Sequence, residues 1–91
     1  MSNYKLLGDA SYVKISSYRV RVVDCLSESD VLIPTQISEK SGIRTNHISK
    51  VLRELKDRRI IECLNEDARK GRLYRLTDYG VSVLECLNSV L

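Results

Sequence analysis

Ninety-one residues, 43% of them hydrophobic and 30% charged, suffice for one small domain with a modest core and leave no room for a second of ordinary size. No run approaches the roughly 20 apolar residues of a membrane span, and no charged-then-apolar leader opens the chain, so a cytoplasmic protein with no membrane partner is expected. The net charge of +3 is ordinary, but residues 44–75 hold ten cations and five acids, against five of each in 1–43 and two acids alone in 76–91.

Residues 1–10 carry no pattern that assigns an element and are expected to be a flexible N-terminal extension, leaving 11–91 as the single domain. Around residues 14–28, Ile15, Tyr18, Val22, Cys25 and Leu26 recur at helical spacing and predict a first helix. Val31-Leu32-Ile33 follows as a short predicted strand. Pro34 suits the first position of the next helix, because its missing N–H would be unpaired there in any case. That helix is predicted to stop at Gly42, since glycine enters the left-handed conformation without steric cost. Ile37, Ile43, Ile48 and Val51, with the small Ser38 among them, suit the close crossing of a helix-turn-helix. Ser41 departs from the apolar or alanine residue usual before such a glycine, and the turn alone would fit any αα-hairpin.

The next helix is more specific. At 100° per residue Ile48, Val51, Leu52 and Leu55 form one narrow apolar stripe. The opposite face carries Asn46, Lys50, Arg53 and Asp57, flanked by His47 and Ser49. Its first turns hold only donors and cations, and acids begin at Glu54. Arg44, Thr45, Asn46, His47, Ser49, Lys50 and Arg53 are therefore the candidate recognition set, because a helix-turn-helix presents the N-terminal part of its second helix to base edges. An Asn amide suits adenine, and Arg or Lys suits guanine or phosphate. Thr45 is the expected N-cap.

Ile60–Leu64 and Arg72–Leu76 are β-prone runs, with Tyr74 and Leu76 on one face by alternation. The polar stretch 65–71 between them predicts a hairpin with a long loop. Arg69, Lys70 and Arg72 cluster there, a basic tip that either meets a phosphate backbone or serves solubility. With Val31–Ile33 this hairpin is expected to complete a three-stranded sheet.

Thr77 is placed to cap a last helix over 78–91, with Asp78 favourable at the positive end of its dipole. Val81, Leu84 and Leu91 form one apolar sector of it, and Val83, Cys86, Leu87 and Val90 a second, an arc of roughly 220° against the single face a surface helix buries. Two sides need two partners: the domain's own core, and either a second subunit or, in its place, the first helix or the N-terminal segment. A homodimer contact through Val83, Cys86, Leu87, Val90 and Leu91 is the favoured expectation.

Cys25, Cys63 and Cys86 are too far apart in sequence for a Cys-x-x-Cys clip, and each sits in an apolar run where free cysteine acts as a small hydrophobe. One histidine with no companion spacing predicts no metal site. The four glycines are scattered and form no phosphate loop. No catalytic residue and no cofactor is assigned, and a binding protein is expected.

From about Tyr18 to Leu84 the chain resembles the winged helix-turn-helix transcriptional regulators of the MarR-like and ArsR-like kind, in their compact archaeal form. The resemblance rests on Tyr18-Arg19 with Val22, Val23 and Leu26, on Pro34 through Ile43, and on His47 through Leu55. It continues through Ile61 to Leu64, Ala68 to Thr77, and Gly80. It implies a mostly α fold with a small β-sheet, and sequence-specific binding of double-stranded DNA, usually as a homodimer. Operator and small-molecule effector are not implied. A protein-interaction winged helix and a non-specific architectural DNA binder are the alternative readings.

Overall fold

Five helices and one hairpin follow in chain order in the computed structural model, which describes residues 4–89. The helices are α1 (Tyr4–Lys14), α2 (Ser17–Glu28), α3 (Pro34–Ser41), α4 (Thr45–Asp57) and α5 (Asp78–Ser89), and strands β1 (Ile61–Cys63) and β2 (Tyr74–Leu76) lie between α4 and α5. The two strands pair antiparallel, Ile61 opposite Leu76 and Cys63 opposite Tyr74. This is the mostly α architecture with a small sheet that the sequence predicts.

One helix was not legible. Residues 4–14, for the most part assigned to an extension, form α1 and make with α5 the most extensive contact between any two elements. Asp9, Ala10 and Val13 are its buried residues, so its apolar stripe is short and a charged group sits in the middle of it. The break before α2 comes at Ser16, whose hydroxyl accepts the Arg19 N–H at 3.3 Å, an N-cap that stops α1 from running on. Ile15, expected in the core, falls in this connection and is 80% exposed.

The predicted third strand is reduced to a single bridge. Leu32 donates to the Tyr74 carbonyl at 3.0 Å and accepts from the Tyr74 N–H at 2.9 Å. The chain enters α3 at Pro34 with Ile33 as its N-cap, which leaves no further residue to extend the pairing. The Gln36 side chain accepts the Ile33 N–H at 3.0 Å. At the far end Gly42 takes φ 74° and donates to the Ser38 carbonyl, the left-handed stop expected of it. Ser41 is buried and its hydroxyl accepts the Ile43 N–H at 3.2 Å. Its departure from alanine is thereby explained: the tight turn leaves that amide without a backbone partner.

The core gathers Val22, Val23, Leu26, Ile37, Ile43, Ile48, Val51, Leu52, Leu55, Ile60 and Ile61 between α2, α3, α4 and the hairpin, and α1 with α5 closes its side. Thr77 caps α5, accepting the Gly80 N–H at 2.8 Å while donating to the Arg59 carbonyl at 2.6 Å. Gly80 is demanded by proximity, since a Cβ there would stand 2.0 Å from the Ile60 carbonyl oxygen.

Helix α1 is docked by a buried carboxylate. Asp9 accepts from Arg58 at 2.9 Å, from Lys5 at 3.0 Å and from the Tyr79 hydroxyl. The Lys5 ammonium also lies 4.1 Å from the centre of the Tyr79 ring. Burial would push the Asp9 carboxyl up, but the hydrogen bonds from Tyr79, Arg58 and Lys5 outweigh it and hold the group below its ordinary range.

Two outcomes are expected in urea or thermal unfolding. Gly80→Ala should cost about 1–3 kcal/mol, because the carbonyl it meets is backbone and cannot turn aside. Because the Asp9 pKa is lowered on folding, its contribution is complete above the unfolded carboxylate value and is lost as pH falls through the folded one. Asp9→Asn should cost about 1–3 kcal/mol at neutral pH and flatten the acid side of the stability profile.

Candidate nucleic-acid interface

Helix α4 divides sharply. Ile48, Val51, Leu52 and Leu55 are buried, whereas Arg44, Thr45, Asn46, His47, Ser49, Lys50 and Arg53 are all exposed. The seven recognition-set residues thus share one open surface. Arg44, rather than Thr45, is the N-cap, and no side chain caps the helix start. Thr45 is the first helical residue, because the backbone turns helical one position earlier than its hydroxyl would require. Its side chain is left facing solvent.

The first acid to follow this surface on α4 is engaged elsewhere. Glu54 accepts from Arg19 at 3.2 Å, and Arg19 also donates to the Tyr12 carbonyl at 2.9 Å. Both Arg19 and Arg58 place their guanidinium carbons 3.6 Å from the Tyr12 ring centre, and two such groups have room only on opposite faces of one ring. Arg19, which carries a cation at the start of α2, is therefore an internal brace and not part of the open surface.

The hairpin loop is shaped by two side chains. Asn65 accepts the Leu73 N–H at 2.7 Å and donates to the Gly71 carbonyl at 3.2 Å, and Gly71 takes φ 66°. Arg72, expected beside Arg69 and Lys70 as a contact residue, turns back instead. It donates to the Ala68 carbonyl at 2.8 Å and the Glu66 carbonyl at 3.0 Å and is half-buried. Arg69 and Lys70 remain exposed at the tip. Glu66 forms an ion pair with Lys56 in the last turn of α4, which ties the loop to the recognition helix. Asn65 was missed, although an Asn at the start of a long polar hairpin loop is the usual signal for a side chain that hydrogen-bonds its own turn.

Val83 and Cys86 lie inside the subunit, buried in its core. The second apolar side of α5 is covered by α1, which takes these two out of the expected subunit contact. Leu87 is half-buried against the core, and Val90 and Leu91 lie outside the described residues. Cys25 is buried, and burial with the nearby Glu28 and Asp24 carboxylates pushes its thiol up, away from the reactive thiolate. Among the described residues, no cluster of three or more His, Cys, Asp or Glu side chains is placed to hold a metal ion, and no helix is long and apolar enough to cross a membrane.

A helix-turn-helix whose second helix keeps one basic polar edge open, followed by a hairpin with a cationic tip, defines a winged helix-turn-helix transcriptional regulator. The chain is similar to the crystal structure of the AntR antimony-specific transcriptional repressor, with a TM-score of 0.72 and 28% identity over 90% of this chain and 70% of that one. Neither a protein-family model nor a curated protein matches it.

If Arg72 shapes the tip and Arg69 and Lys70 extend from it, Arg72→Ala should speed hydrogen exchange at the Ala68 and Leu73 amides several-fold. Global stability should fall by no more than about 1 kcal/mol.

Proposed function

We propose that the protein binds double-stranded DNA sequence-specifically and regulates transcription as a homodimer. The observation that carries the reading is the open edge of α4, where Arg44 to Arg53 expose donors and cations and the acid that follows is paired inward. A helix of this kind fits the major groove, whose base edges carry a distinguishable donor and acceptor pattern. Asn46, Lys50 and Arg53 are the foremost base-edge candidates, with Thr45, His47 and Ser49 beside them. Arg44 at the helix start and Arg69 and Lys70 on the wing suit phosphates. Residues 44–75 carry ten cations against five acids, an excess of the kind a nucleic-acid footprint has.

A second subunit is supported by apolar exposure on and beside α1 and α5. Tyr4 and Leu7 on α1, Ile15 just beyond it, and Val81 on α5 are exposed at 84%, 38%, 80% and 45%. Two copies would carry two recognition helices to half-sites about one helical turn apart. The antimony specificity in the neighbour's description belongs to that repressor, and no effector is assigned to this chain.

Selection of bound sequences from a random duplex pool at near-physiological salt tests the reading, with convergence on a palindrome expected. Binding without convergence would point to an architectural DNA binder, and no retained DNA to a protein-interaction winged helix. Arg69→Ala should weaken binding to every duplex alike and lower the slope of log affinity against log salt by roughly one. Asn46→Ala should relax preference at one base position, and equal losses on selected and random DNA would remove it from base reading.

A further inference from the structure

His47, the chain's one histidine, stands exposed on the first turn of α4. Its ring is braced from another helix. The Tyr18 ring of α2 lies 5.5 Å away, centre to centre, tilted by 49°, within the range of attractive aromatic pairs. Tyr18 is half-buried against the core, so its own position is set by packing. The Arg21 guanidinium lies 5.2 Å from the Tyr18 ring centre, inside cation–π range. Arg21 also donates to the Ser41 carbonyl at 3.1 Å, and Ser41 is the last residue of α3. Arg21, Tyr18 and His47 thus form one row that runs from the end of α3, across α2, to the start of the recognition helix.

We propose that this row determines specificity at the DNA interface: Tyr18 is a positioning residue that holds the His47 imidazole toward the groove, His47 contacts a base edge, and Arg21 steadies the Tyr18 ring. The proposal rests on the DNA-binding reading above and extends it to residues of α2. A neutral imidazole offers one donor and one acceptor on fixed ring positions, so it discriminates between base edges only if its orientation is set. A side chain held before binding also loses less rotamer freedom on contact. The packed Tyr18 ring supplies that restraint without a hydrogen bond, which leaves both imidazole nitrogens for DNA.

The test compares two labelled duplexes by fluorescence anisotropy, one recovered from the random-pool selection and one a scramble of the same composition. The ratio of the two affinities does not depend on the folded fraction, so a destabilised variant still reports. His47→Ala is expected to lower that ratio about tenfold, the scale of one lost base contact. Tyr18→Leu keeps an apolar group on the core but removes the ring, and should lower it about three- to tenfold, while Tyr18→Phe retains it. The double variant Tyr18→Leu with His47→Ala should lose no more than His47→Ala alone, within about twofold, because the two act as one unit. Salt slopes should stay unchanged in all of them, since no phosphate contact is removed. Equal losses on both duplexes for Tyr18→Leu, or a double variant that loses the product of the two single effects, would overturn the proposal. Wild-type protein that holds both duplexes equally would remove sequence reading itself, a result visible before any variant is made.

Discussion

Burying Ile48, Val51, Leu52 and Leu55 along one edge of α4 fixes the roll of that helix about its own axis, and the roll decides which side chains face outward. A helix turned by one residue would carry Leu52 toward solvent and His47 and Glu54 toward the core, each at a cost of a few kcal/mol. The apolar stripe is narrow, so it tolerates little rotation. Ile37 and Ile43 from the helix-turn-helix, Val22 and Leu26 from α2, and Ile60 and Ile61 beyond α4 complete the core in which that edge lies. The open surface of Arg44 to Arg53 is a consequence of this burial.

A second restraint acts near the other end of α4. Arg58 follows the helix and reaches Asp9, while Glu54 in its third turn takes Arg19, and the Tyr12 ring lies between the two guanidinium groups. The network joins α1, α2, α4 and, through Tyr79, α5. It is only partly exposed, so its hydrogen bonds to charged groups are stronger than those of a solvated pair. The same contacts leave the Asp9 and Glu54 carboxylates paired with cations rather than free.

The wing follows the same logic on a smaller scale. Three-residue strands cannot hold a ten-residue connection by pairing, so side chains do it: Asn65 closes the base of the loop and Arg72 binds its carbonyls. What remains at the tip is Arg69 and Lys70, and the Glu66 to Lys56 pair holds that tip against the end of α4. An arginine that organises its neighbours and an arginine that meets solvent look alike in a basic run. The difference lies in whether two backbone carbonyls happen to be within its reach.

Local pattern determined much of this protein. The stripe of α4, the glycine stop at Gly42, Pro34 at the start of α3, the Thr77 cap and the two β-prone runs depend on residues within a few positions of one another, and period and turn chemistry are properties of such short windows. The open edge of the recognition helix was legible for the same reason, since burial of one face dictates exposure of the other. Tertiary structure alone decided the rest. Helix α1 is held by Arg58 and Tyr79, 49 and 70 residues from Asp9, and no periodicity in residues 1–10 announces such partners. Its docking assigned Val83 and Cys86 to the subunit's own core, and packing between α2 and α4 set Tyr18 against His47. A side chain's neighbours across the chain follow from how whole elements pack, and a sequence window carries the propensity to form an element but not the surface against which it comes to rest.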